Sequence, residues 1–192
     1  MTYNNYKYYK NYNDYNHYSS YKGYKSLPVY QQAEIIHDFT VEFTSLYIPK
    51  YSRTKDQMDQ AARSGKQNIA EGYLQKSMES RLKLLGVARG SLEELLTDYQ
   101  DFLRQRSLPI WSKDDPKSQA IRRIAYNRYK NYNDYKIYLD SPLKAANTMV
   151  CLINQTNQLL DNKYRWTEKT FVKEGGFREK LFAKRIAFRN KL

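Results

Sequence analysis

Four stretches of this chain repeat apolar residues at steps of three and four, and proline or capping residues bound each one. The first runs Val29, Ala33, Ile36, Phe39, Phe43, Leu46, and the second Met58, Ala62, Gly65, Ile69, then Tyr73. The third, opened by Ser77 as cap, is Leu82, Leu85, Ala88, Leu92, Leu95, Tyr99, Phe102; the fourth is Leu143, Ala146, Val150, Ile153, Asn157, Leu160. That period stripes one face of a helix, and each run is long enough for a helix of roughly 30–40 Å. Pro28, Pro116 and Pro142 follow Ser26, Asp115 and Ser141, which reads as N-cap followed by first-turn proline. Pro49 and Pro109 end the runs before them, and Thr54 with Gln57 has the spacing of a capping box. No segment alternates like a strand. The pattern predicts an all-α fold: an antiparallel up-down four-helix bundle with an extra basic helix between the third and fourth helices and a C-terminal helical suffix.

Composition narrows the chemistry. Of 192 residues 41% are hydrophobic, but 20 are tyrosine, so the conventional core is only large enough for one compact domain. No apolar stretch approaches the roughly 20 residues of a membrane span, and the first residues lack an apolar signal core, which reads as a cytoplasmic chain without a membrane partner. Cys151 is the only cysteine, and His17 and His37 are the only histidines. Disulfide frameworks and zinc-finger spacings are therefore excluded. No phosphate loop, nucleophile elbow or His-Glu-x-x-His motif occurs. Glu93, Glu94, Asp98 and Asp101 lack the Glu-x-x-His partners of bundle metal sites and read as a solvated face. Cys151 falls in the fourth stripe as a small hydrophobe, and His37 borders the first. We expect no catalytic residues, no metal and no cofactor.

The net charge of +13 is unevenly placed. Residues 26–115 carry twelve basic against thirteen acidic side chains, whereas 116–139 and 177–192 each carry six basic against one acidic. A field concentrated on appended segments suits a polyanion, RNA or DNA. The candidate phosphate contacts are Arg122, Arg123, Arg128, Lys130 and Lys136 in the first segment. In the second they are Lys180, Lys184, Arg185, Arg189 and Lys191, on a basic helix with Phe177, Leu181, Phe182 and Phe188 on its apolar side. The alternative is a protein scaffold whose basic suffix grips an acidic partner.

Tyrosine recurs at every third position from 3 to 24, a period that makes no stable helical stripe and predicts a disordered or adaptable tail over 1–25. Within it, Tyr9-Lys10-Asn11-Tyr12-Asn13-Asp14-Tyr15 recurs identically as Tyr129-Lys130-Asn131-Tyr132-Asn133-Asp134-Tyr135. Duplication of low-complexity coding sequence accounts for this. So does a role in which tyrosines stack on unpaired bases while lysines meet phosphates. In the second copy Ile121, Ala125, Tyr129, Tyr132 and Leu139 can line a basic helix against the bundle. The expected division is a tail at 1–25, a bundle at 26–165 with a basic insertion at 112–140, and a basic helical suffix at 166–192.

Two motifs add a resemblance. Asn68-Ile69-Ala70-Glu71-Gly72-Tyr73 and Ala88-Arg89-Gly90-Ser91-Leu92-Glu93-Glu94-Leu95 resemble the signature of a bacterial four-helix-bundle family. That family includes the intervening-sequence protein of large-subunit ribosomal RNA genes and the accessory variability protein of diversity-generating retroelements. The run from Ala146-Asn147-Thr148-Met149 to Glu174-Gly175-Gly176-Phe177 is similar to its extended subgroup with a four-helix-bundle suffix domain. The resemblance implies a homopentameric barrel with a basic surface. For retroelement members it also implies a reverse transcriptase and its RNA or DNA as partners. It makes Asn68, Glu71, Gly72, Arg89, Gly90 and Ser91 motif positions, with packing and interface roles.

Overall fold

The computed structural model describes residues 23–127 and 130–190; the tyrosine-repeat tail up to residue 22 and residues 128–129 and 191–192 lie outside the described residues. The helices are α1 (Pro28–Tyr47), α2 (Arg53–Leu74), α3 (Met78–Gln105), α4 (Pro116–Tyr126), α5 (Asn133–Lys136), α6 (Pro142–Glu174) and α7 (Phe177–Arg189). Short 3-10 turns cover Gly23–Ser26 and Ile137–Asp140. No strand occurs among the described residues.

α1 packs on α2, α2 on α3, α3 on α6 and α6 back on α1, closing a four-membered ring. Tight loops make α1, α2 and α3 successively antiparallel. The longer link to α6 has the same outcome. The Asn147 amide, near the start of α6, donates to Pro109 O (3.0 Å), and its carbonyl oxygen accepts from Trp111 N (2.7 Å), just past the end of α3. At the other end Gly176 lies against Glu79 in the first turn of α3. The four-helix bundle is thus formed by α1, α2, α3 and α6.

The predicted stripes form the core, with three residues left out: Leu46 is 55% exposed, Tyr73 is also exposed, and Leu82 is only partly covered. Phe43 is central, stacked within 4.8–5.3 Å of Tyr47, Tyr99 and Phe102. Tyr99 is fully buried, and its hydroxyl donates to Thr40 Oγ1 at 3.0 Å, which satisfies the one polar atom it brings inside. Each such side chain stabilises the fold by roughly 1.5–3 kcal/mol through burial.

Local signals held less uniformly. Asp115 caps α4 by accepting from Lys117 N (2.8 Å), and Ser77 caps α3 by accepting from Ser80 N (3.2 Å). Ser26 does not cap α1: Leu27 holds that position, and the Ser26 hydroxyl donates back to Gly23 O at 2.7 Å. Ser141 sits at the N-cap of α6 without a capping hydrogen bond. Ser52, rather than Thr54, caps α2. A cap needs its oxygen over the first free N–H groups, and one more residue in the loop displaces it.

The insertion departs most from expectation. It is not one helix: α4 ends at Tyr126, and the chain turns back through α5 and the following 3-10 turn. Both pieces pack on the bundle, burying Ile121, Ala125, Tyr132 and Leu139 as the apolar spacing predicts; Tyr129 lies outside the described residues. Gln32, on α1, donates to Ala125 O (3.3 Å) and accepts from Thr156 on α6 (3.0 Å), so one buried amide ties α1, α4 and α6 together. Finally, α6 runs unbroken through the expected boundary at residue 165 to Glu174, and only α7 stands as a separate suffix element.

Candidate nucleic-acid interface

The positive side chains of the insertion are not equivalent. Arg123 is exposed and has no carboxylate within ion-pair distance among the described residues. Arg122 is half-buried, its guanidinium donating to Lys113 O at 3.1 Å, while Gln155 of α6 holds its carbonyl from the other side. Lys136 reaches Glu42 Oε1 on α1 at 3.4 Å and lies over the Tyr132 ring. Lys130 is only 5% exposed, with Asn127 O 3.4 Å from Nζ, and burial pulls its pKa below the ordinary lysine value. Buried in the turn after α4, its ammonium is withdrawn from the surface where a phosphate would meet it. Arg128 lies outside the described residues.

α7 presents the opposite situation. None of its residues is buried. Lys180 pairs with Glu174 at 2.8 Å, and that hydrogen bond holds the Glu174 carboxyl below its usual pKa. Lys184, Arg185 and Arg189 are exposed and carry no carboxylate partner among the described residues. Lys191 lies outside the described residues. Charge composition alone missed a neighbour on α6: Lys163 stands 4.3 Å from the centre of the half-exposed Trp166 ring, a cation–aromatic pair on the same end of the molecule. Trp166 with Lys163 three residues earlier was its only sequence signal.

The structure does not merge the two cationic patches. Gln155 marks the level of α4 on α6, and α7 starts more than twenty residues further along, an axial distance of about 30 Å. Of the acidic residues of α3, Glu79 lies beside the start of α7, against Gly176. Asp98 keeps one carboxylate oxygen buried without a partner, and burial, with Glu94 and Asp101 nearby, pushes its pKa up to about 6. Among the described residues no group of three or more His, Cys, Asp or Glu side chains could hold a metal ion. Cys151 is buried, and that burial pushes its thiol pKa up, away from nucleophilic use.

Four of the six motif residues, Asn68, Gly72, Arg89 and Ser91, make contacts within or between the bundle helices. Asn68 donates to Ser64 O (2.8 Å), and the Ser64 and Ser91 hydroxyls meet at 2.9 Å across α2 and α3. Arg89 holds Glu93 at 2.5 Å and, on α6, Asp161 at 3.2 Å; the Asn157 amide adds a bond to Glu93 at 3.1 Å. Gly72 lies inside α2 rather than ending it, where a Cβ would stand 3.4 Å from Leu84 Cβ, and its carbonyl accepts from Arg81 (3.2 Å). Glu71 and Gly90 are exposed, and among the described residues a Cβ at Gly86 or Gly90 would meet nothing within 4 Å.

Residues 25–110 match the family model described as 23S rRNA-intervening sequence protein. Comparison with curated proteins and with solved structures gave no match. The matched segment spans α1 to α3 and stops short of α4, so every phosphate-contact candidate above lies beyond it, while Asn68, Glu71, Gly72, Arg89, Gly90 and Ser91 lie within it. By that match, residues 25–110 of this chain, where the motifs join α2 to α3 and α3 to α6, are similar to the 23S rRNA-intervening sequence protein family.

Proposed function

We propose that this protein is a non-enzymatic, oligomeric accessory protein that binds RNA or DNA beside a reverse transcriptase. The observation that carries the reading is the separation of charge. In the bundle Arg89, Lys55, Arg104 and Lys144 are engaged by Glu93 and Asp161, Asp59, Asp101 and Asp140. Arg123 on α4 and Lys184, Arg185 and Arg189 on α7 stand free of carboxylates among the described residues. Exposed bundle cations such as Arg53, Arg63 and Lys83 do too, but there a nearly equal number of acidic side chains offsets the field, which it does not on the appended segments. Unpaired exposed cations release counterions when they meet phosphates, and paired ones gain little. Trp166 beside Lys163 supplies a ring on which an unpaired base can stack. The reverse-transcriptase partner and the pentameric state come from family resemblance alone, and Gly86 and Gly90 offer a flat exposed face for such assembly.

The test compares charge reversals. K184E/R185E on α7 and R123E on α4 should each weaken RNA or DNA binding at least about tenfold at low salt, against less than twofold for R104E, whose guanidinium already holds Asp101. Equal effects at all three places would refute the assignment. The scaffold reading differs in one measurable way: a partner retained from lysate after nuclease treatment favours an acidic protein over nucleic acid.

A further inference from the structure

The heptapeptide repeated in this chain has one copy whose seat is visible. Tyr132 is 2% exposed and donates its hydroxyl to Glu42 on α1, while Tyr135 is fully buried. The turn between them is held by its own side chains: Asp134 accepts from Asn131 N (2.8 Å), and Asn131 accepts from Asn133 N (2.8 Å). Tyr47 on α1 donates its hydroxyl to Leu139 O and closes the far end. Every residue in this description from Asn131 to Tyr135 recurs identically in Asn11–Tyr15. The first copy therefore has, in sequence, the same Asn and Asp side chains and the same two tyrosines.

We propose that the face of α1 around Glu42 is a binding site for this peptide sequence as such, and that Tyr9–Tyr15 of the same chain is its second occupant, exchanging with Lys130–Tyr135. The first copy lies outside the described residues; its sequence identity and the length of its tether support the exchange, and two further observations set which copy holds the site at rest. Eleven residues separate Tyr12 from Gly23 and reach up to about 37 Å, while Glu42 is about 28 Å along the helix direction from Gly23. The tether therefore spans the distance within one chain. The flanks rank the occupants. Lys136, which pairs with Glu42, corresponds to Asn16, and the buried Leu139 corresponds to Ser19. The second copy is also anchored at both ends, by α4 and by α6, so it holds the site at rest. Exchange frees Lys130 from burial and Lys136 from Glu42, exposing two cations that the resting fold withholds. The inference does not depend on the nucleic-acid reading.

Hydrogen–deuterium exchange on the full chain tests it. In the native protein residues 131–139 should exchange about fivefold faster than in Y12A/Y15A, because the first copy stabilises the opened form. That variant leaves every described core residue in place. In Y132A/Y135A, residues 9–15 should gain protection as they fill the vacated seat. Equal exchange of 131–139 with and without Tyr12 and Tyr15 overturns the proposal, whatever becomes of Y132A/Y135A. So does a difference that grows with protein concentration, which marks capture between copies instead of within one chain.

Discussion

Lys130 and Asp98 show how far a side chain's role departs from its letter. Both are charged residues that a sequence reading puts in water, yet Lys130 is buried in the turn after α4, and Asp98 keeps an oxygen dry on α3. The tyrosines flanking Lys130 were the available signal, but a tyrosine-rich repeat also reads as a tail, and only the pairing of Tyr132 with Glu42 decides between them. K130M should raise the thermal midpoint at pH 7, by ~2–4 °C for each kcal/mol of burial cost removed, as a melting experiment would show. Asp98 gives a signed pH dependence. Its folded pKa, about 6, lies above its unfolded value of about 3.9, so the native state binds the proton more tightly. That contribution is fully present below about pH 4 and is lost as pH rises through 6. D98N should therefore be more stable than the native chain at pH 7.5, and the difference should shrink or reverse by pH 5. A pH-independent difference in midpoints would contradict the assigned cause.

At the scale of elements, the four bundle helices were legible because their apolar period is long and their prolines stand at first turns. What remained hidden depends on where neighbours come to lie. Gly65 and Gly90 occupy similar helix interiors, yet a Cβ at Gly65 would meet Leu92 Cδ2 at 2.7 Å in the core, while at Gly90 it would meet open space. G65A should destabilise the fold by about 1–3 kcal/mol by crowding α2 against α3. G90A should stabilise an isolated chain by ~0.5–1 kcal/mol through helix propensity alone. Denaturant titration of both variants checks the pair. A G90A chain that is less stable or changes its assembly would show instead that another copy packs on that face. The insertion's split into α4 and α5 was illegible for a related reason: its charge and tyrosine spacing fit one basic helix, and the break follows from the contacts that Tyr132, Tyr135 and Leu139 make with the bundle.

Across the whole molecule, the excess of basic over acidic side chains lies in the segments of α4 and α7, while α1 to α3 carry nearly balanced charge. Segment charges read from the sequence located those two places. They could not separate cations that are free from those that Glu42, Glu174 or burial withdraw, since that sorting is tertiary. Three expected contacts are thereby reduced at rest: Lys130, Lys136 and Lys180. No helix among the described residues is long and apolar enough to cross a membrane, so α7's exposed Phe182 and Phe188 belong to a surface helix rather than a span. The most direct measurement is the affinity of the full chain for single-stranded RNA across a salt series from 50 to 200 mM. Phosphate contacts by Arg123, Lys184, Arg185 and Arg189 predict that log affinity falls against log salt with a slope of about −3. No binding at 50 mM, or a slope near zero, would contradict the account.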